Sequence, residues 1–559
     1  MIGRISDRRI RILIVAFAVL LSIALARAAW LQGVQSTALD AQADAQSRRT
    51  VLTEPRRGTI FDRNGRELAI GELRTSVFAN PQQIIDPAAV AKIIAGDLEL
   101  SEDRVLELLS DTERGFVYVA RKADPKLAAR LEDRGLAGIG FESEERRIYP
   151  QRGVASEVVG FAGLDNRGLE GIESYYDELL SGRAGEATVL SDPFGRTINV
   201  FDEAPVKEGH DLYLSIDHRL QLKVERLVRR ARGFWKAEAA TAIVMNPHNG
   251  SILAMVVEPG FDPGDSDDVG PDERRNRAVT DSYEPGSTFK VVTVAGVLEE
   301  GIHKPSSSFN LERQIDVADR TIGEVENRGT EVMTVSEILA RSSNVGTITL
   351  ALNLGSPRLE AWIENFGFGS TTGIDYPGEV EGIVIPRSEW SGSTIANVPI
   401  GQGISVTPVQ MAALYSAIAN GGKLVKPRLV ERIDGREVES VQPERERVIS
   451  KKTARQLTRM LERVVASGSG SKAAISGYRV AGKTGTAAKV EPTGFYSTER
   501  YVASFVGFAP ADEPRVVVFV SVDEPQPEIF GGIVAAPLFA QIAEAALTHL
   551  EVGPSNSSR

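Results

Sequence analysis

Asp281-Ser-Tyr-Glu-Pro-Gly-Ser-Thr-Phe-Lys290 runs directly into Val291, Val292, Val294, Ala295, Val297 and Leu298. The apolar spacing predicts a helix whose first turn carries Ser287, just after Pro285 and Gly286. Ser287 and Lys290 are three positions apart on one helical face, so the amine can reach the hydroxyl. A serine paired with a base in this way is a candidate covalent nucleophile. The same spacing recurs at Ser469 and Lys472, inside a Gly/Ser-rich tract with no helical context, which reads as a loop.

Around this segment the chain reads as strands, then many helices, then strands again. Residues 212–216 alternate like a strand, and Asp217 is placed to cap a helix starting at His218. Residues 240–245 and 251–257 read as two strands joined at Asn249-Gly250. Residues 501–508 and 516–522 are two late strand candidates around a Pro/Asp turn. This order predicts an α+β domain with a largely antiparallel sheet flanked by helices, over residues 207–549. Upstream, residues 32–206 mix short strands and helices in a second module. Its Asn64-Gly65 marks a hairpin, in a segment starting at Arg57 that serves either as a partner contact or as a hydrogen-bonded turn joining the modules. Residues 550–559 read as a disordered tail.

The N-terminus carries Arg4, Arg8, Arg9 and Arg11, a short cytoplasmic segment over residues 1–11. An apolar run over residues 12–31 follows, interrupted by Arg27 and closed by Trp30 and Leu31, long enough to span a bilayer. The basic flank predicts a cytoplasmic N-terminus with the remainder exported. A cleaved signal peptide is the competing reading, because Ala24-Leu25-Ala26 resembles a cleavage site. The net charge of −12 argues against a nucleic-acid binder. The 559 residues contain no cysteine, which excludes disulfides and thiolate chemistry, and the five histidines have no metal-ligand spacing. No cofactor and no metal are expected.

Two further short motifs accompany Ser287. Ala340-Arg-Ser-Ser-Asn-Val-Gly346 contains Ser342, Ser343 and Asn344; Ala481-Gly-Lys-Thr-Gly-Thr-Ala487 contains Lys483, Thr484, Gly485 and Thr486. Each alone is a weak signal, since Ser342 also suits a helix cap and Lys483 a solvated surface. Ser-x-x-Lys, Ser-x-Asn and Lys-Thr-Gly in this order are the signature of penicillin-binding proteins and related β-lactamases. The chain resembles the class B penicillin-binding proteins, monofunctional peptidoglycan D,D-transpeptidases, from Arg57-Gly58 to Ala535-Ala-Pro537. Similar segments include Arg147-Ile-Tyr-Pro150, Gly168-Leu-Glu-Gly171, Gly401-Gln-Gly-Ile-Ser-Val-Thr-Pro408 and Tyr501-Val-Ala-Ser-Phe-Val-Gly507. Glu284 and Asn344 resemble the septal, cell-division branch (the FtsI type) rather than the elongation branch. Val291 departs from the proline that many relatives have after the lysine.

The resemblance implies that Ser287 attacks the penultimate D-Ala carbonyl of a stem peptide ending in D-Ala-D-Ala, and that an amine of a neighbouring stem then forms the cross-link. β-Lactams would trap the same serine. Lys290 must then lose its proton far below the usual lysine range near pH 10. A second ammonium about 5 Å away, at an effective dielectric near 20, repels it by roughly 3 kcal/mol, about two pK units, and burial acts in the same direction. Lys483 is the candidate for that charge. Ser342 either relays protons between the lysines or simply fixes Lys290. Asn344 would hold the substrate backbone, Thr484 with Lys483 its terminal carboxylate, and Gly485 would leave room for an extended substrate. The backbone N–H groups of Ser287 and Thr486 would form the oxyanion hole. The implied partners are a SEDS-family glycan polymerase, other division proteins and, through the N-terminal helix, the inner membrane, with a periplasmic catalytic domain. A D,D-carboxypeptidase, an elongation-type transpeptidase and a non-catalytic divisome scaffold or β-lactam sensor are the alternatives.

Overall fold

The computed structural model describes residues 2–33, 35, 48–191, 197–325, 327–438 and 446–555. The chain forms two compact units, Met1–Arg56 with Gly182–Gly209 and Arg57–Ser181 with His210–Arg559.

In the first unit, helix α1 spans Ile2–Gly33. Its segment Arg8–Gly33 is long and apolar enough to cross a membrane, and none of it is buried. Leu13, Phe17, Leu20 and Trp30 are all exposed, as a helix meant for a lipid solvent would be in isolation. The unit also holds a three-stranded antiparallel sheet of Arg48–Thr53, Gly185–Ser191 and Thr197–Ala204. Residues 34 and 36–47 lie outside the described residues.

The second unit is built on a five-stranded antiparallel sheet: β1 (Ala239–Met245), β2 (Ile252–Glu258), β3 (Ala481–Val490), β4 (Tyr496–Ala509) and β5 (Val516–Asp523), in the spatial order β2-β1-β5-β4-β3. All seven residues of β1 are buried, because helices cover both faces. Successive side chains point to opposite faces. Ala242 and Val244 therefore join one core, against α2 (His218–Trp235) and the C-terminal helix Gly531–His549. Ile243 and Met245 join the other, with Phe289, Val292, Val294 and Leu457. The C-terminal helix is also apolar enough to span a membrane, but more than half of that stretch is buried in this core. Asp217 caps α2 as expected, accepting from the backbone N–H groups of Arg219 (3.0 Å) and Leu220 (3.2 Å).

A second sheet explains why residues 57–181 belong with the catalytic part. Leu212–Leu214 pairs with Val430–Ile433 on one side and with Ile60–Phe61 on the other. Ile60, Leu68 and Ile172 share a core with Leu214, Met255 and Phe289. The Asn64-Gly65 hairpin forms, with Gly65 at φ +85°. Arg57 supports the structural reading of its segment. Its guanidinium is buried and donates to Glu173 Oε2 (2.7 Å), Asp177 Oδ1 (2.7 Å) and Ser181 Oγ (2.8 Å). The C-terminal stretch differs from a free tail through Ser555, whose N–H bonds to Gly477 O at 2.8 Å, while Val552 O accepts from the Tyr478 hydroxyl at 2.6 Å. Residues 556–559 lie outside the described residues.

Candidate active site

Ser287 sits in a short 3-10 turn, Gly286–Phe289, that feeds α3 (Lys290–Glu299). Gly286 opens the turn at φ +54°, where a side chain would be strained, and a Cβ there would meet Thr486 O at 3.0 Å. Ser287 is half-buried and lines a cleft of about 690 Å³. The N–H groups of such a first turn have no intrahelical acceptor.

Lys290 is fully buried. Its Nζ does not bond Ser287 Oγ, which has no hydrogen-bond partner among the described residues. Instead it donates to Ser342 O (2.6 Å), Ser342 Oγ (3.3 Å) and Asn344 Oδ1 (2.7 Å). The three-residue spacing puts the pair on one face, as expected, but tertiary partners claim the amine. Ser342 is held at φ +61°, an uncommon conformation for a residue with a side chain. Ser343 begins α4 (Asn344–Leu354) as its N-cap, accepting from Gly346 N at 2.9 Å. The tight turn between these two residues aims Ser342 Oγ and Asn344 Oδ1 at one point.

Lys483 reaches the same hydroxyl from β3, with Nζ 2.9 Å from Ser342 Oγ. It too is fully buried. Ser342 Oγ therefore stands between two amines. Burial lowers Lys290 from 10.5 to about 7, partly opposed by the Glu324 carboxylate. Lys483 is pushed well below the lysine range by burial and then by Lys290. For Lys290 the lowering comes from burial and not from the charge repulsion that the sequence reading put first; the repulsion between the two amines falls on Lys483.

On β3, period two sends Lys483 to the interior and Thr484 and Thr486 to the cleft. β3 is the terminal strand of its sheet, so its outer edge can hydrogen-bond an extended peptide. Gly485 faces away from the cleft. A Cβ there would meet Pro285 O at 2.9 Å and collide with Ser504 Oγ. Its missing side chain therefore makes room for the Ser287 turn, which corrects the expectation that it clears space for substrate.

The structure brings Ser287, Lys290, Ser342, Asn344, Lys483, Thr484 and Thr486 together, and three participants escaped sequence reasoning. Ser469, dismissed with its loop, lies with its Oγ 2.9 Å from Thr484 Oγ1, and Lys472 lines the cleft beside it. Glu324 holds the start of α4 from a loop with no sequence signature. Their only sequence signals were a Gly/Ser tract and an ordinary charged loop. Glu284 turns its Oε1 to Gly403 N (2.8 Å) and the Tyr496 hydroxyl (3.1 Å), and burial raises its pKa. Among the described residues no cluster of three or more His, Asp or Glu is arranged to hold a metal.

Comparison with known proteins agrees with this geometry. A family model described as the penicillin binding protein transpeptidase domain matches residues 240–544, and one described as the penicillin-binding protein dimerisation domain matches residues 52–214. The stage V sporulation protein D of Bacillus subtilis is 37% identical, over 94% of this chain and 83% of its own. The peptidoglycan D,D-transpeptidase FtsI of Escherichia coli is 34% identical, over 96% and 90%. The crystal structure of penicillin binding protein 3 from Mycobacterium tuberculosis complexed with aztreonam superposes with a TM-score of 0.73 at 30% identity, covering 90% of this chain and 98% of that one. The chain belongs to the penicillin-binding proteins, as a class B peptidoglycan D,D-transpeptidase in which a dimerisation domain accompanies the transpeptidase domain.

Proposed function

We propose that this D,D-transpeptidase cross-links stem peptides ending in D-Ala-D-Ala at the division septum, through an acyl-enzyme on Ser287. The observation that carries the chemistry is the single hydroxyl of Ser342 held between two buried lysine amines beside Ser287. Ser287 Oγ attacks the penultimate D-Ala carbonyl while neutral Lys290 takes its proton. The oxyanion forms against the backbone N–H groups of Ser287 and Thr486. The proton passes through Ser342 Oγ to the leaving D-Ala amine, with Lys483 balancing charge. An amine of a second stem then attacks the acyl carbon, forms the new amide and releases Ser287. Asn344 positions the donor backbone, and Thr484 with Lys483 receives the terminal carboxylate. A β-lactam, a cyclic amide with a neighbouring carboxylate, fits the same positions and acylates Ser287.

Glu284 and Asn344 support the septal assignment, as does the likeness to FtsI. The apolar, exposed α1 and its arginines support an inner-membrane anchor with a cytoplasmic N-terminus and a periplasmic catalytic domain. A SEDS-family glycan polymerase and other division proteins are the partners this placement calls for. A labelled penicillin tests the site: the wild type labels and Ser287→Ala does not, and undiminished labelling of the variant overturns the assignment. Depletion in cells tests the septum, where long undivided filaments are expected; rounded cells that still divide would point to elongation instead.

A further inference from the structure

Glu324 is not part of the three motifs, yet its side chain is 5% exposed and meets three successive residues of the second one. Its Oε1 accepts from Ser343 Oγ (2.5 Å) and from Val345 N (3.1 Å), and its Oε2 accepts from Asn344 N (3.0 Å). The neighbouring Gly323 O accepts from Asn344 Nδ2 at 3.2 Å. These contacts fill the unsatisfied N–H groups at the start of α4 with a carboxylate, the charge that a helix N-terminus favours. Ser343 becomes a relay of position, since its hydroxyl donates to Glu324 while capping Gly346 N. The Arg328 guanidinium, 9% exposed, donates to Glu324 Oε1 and closes the group.

We infer that Glu324 is a positioning residue for transpeptidation: its carboxylate clamps the first turn of α4 and thereby fixes Ser342 and Asn344 on the Lys290 amine. Without the clamp, the Ser342 turn must hold its left-handed conformation alone. The clamp also carries charge into a buried site. The charged groups that act with Lys290 are Lys483 from β3 and Glu324 from the loop that packs on α4, with Arg328 bonded to Glu324; Glu324 raises the proton affinity of Lys290 against the effect of burial. Arg328 is bonded to Glu324, so it offsets the charge of the carboxylate that acts on Lys290.

The inference rests on Lys290 as the base, and its test separates the two. Second-order acylation by a fluorescent penicillin is followed from pH 5.5 to 9.5 for wild type, Glu324→Gln, Glu324→Asp and Arg328→Gln, with Ser287→Ala as the control for the reading itself. Glu324→Gln removes the negative charge, so the acid limb moves to lower pH, and the plateau rate falls about tenfold or more as charge-assisted bonds to the α4 turn are lost. Arg328→Gln leaves the carboxylate unpaired, so its acid limb moves to higher pH. Glu324→Asp keeps the charge, so its limb stays with the wild type even where its plateau drops. Plateaus and limbs of Glu324→Gln and Arg328→Gln matching the wild type overturn the inference, as do limbs moving the same way in both. Labelling of Ser287→Ala would instead defeat the catalytic reading.

Discussion

Acylation by a β-lactam should slow about tenfold between pH 8 and pH 6. Lys290 is fully buried, and that burial brings its pKa from 10.5 to about 7. That lowering is worth about 5 kcal/mol of disfavoured charge. A solvated lysine at pH 7 is neutral in roughly one molecule in three thousand, whereas Lys290 is neutral in about half of them, about nine-tenths at pH 8 and about a tenth at pH 6. If the neutral amine takes the Ser287 proton, the rate follows those fractions, with a slope of about one decade per pH unit below the midpoint. Both amines share Ser342 Oγ, so the measured midpoint belongs to the pair. The assay is stopped-flow acylation by a penicillin whose carboxylate stays ionised across the range. A flat profile from pH 5.5 to 8, or a midpoint near 10, refutes the argument that burial prepares the base. Lys290→Arg, whose guanidinium stays charged, should remain unacylated throughout.

Three further outcomes follow from the geometry. Ser342→Ala separates relay from anchoring: Lys290 keeps Ser342 O and Asn344 Oδ1, so a pure anchor costs less than about tenfold in acylation rate, whereas a proton relay costs about a hundredfold or more. Gly485→Ala forces a Cβ against Pro285 O and displaces the Ser287 turn from β3; acylation should fall about tenfold or more even for small β-lactams, and an unchanged rate with small substrates would restore the substrate-clearance explanation. Glu173→Ala removes the carboxylate between the buried Arg57 and Arg147, whose Nε atoms lie 2.7 and 2.6 Å from it. Urea unfolding should report a loss of about 3–5 kcal/mol, and a loss below about 1 kcal/mol would mean that the network is water-filled.

The strands around Ser287 were legible because their apolar runs are local facts. β1, β2 and β5 fall within one residue of their expected limits, and β4 starts five residues earlier than expected. The Asp217 cap and the Asn64-Gly65 hairpin are equally local, each decided by side chains within a few positions. The pairing of Leu212–Leu214 with Val430–Ile433 and with Ile60–Phe61 was not, because its partners lie far away in the sequence on both sides. Glu324 was invisible for the same reason: twenty residues separate it from Asn344, and nothing in its own neighbourhood marks it.

By itself the sequence determined which groups are present and in what order: a serine and a lysine one turn apart, a Ser-Ser-Asn motif, and a Lys-Thr-Gly motif. Those features set local geometry, since helix and strand periods fix which side chains share a face. Only the tertiary structure decided where the amines point. It closed protein around Lys290 and Lys483, so desolvation, and not repulsion between the amines, is what lowers the proton affinity of Lys290. It also turned Lys290 from Ser287 towards Ser342 and Asn344, because a buried ammonium or amine goes to the acceptors that surround it, and these arrive from the turn that opens α4, more than fifty residues further along the chain.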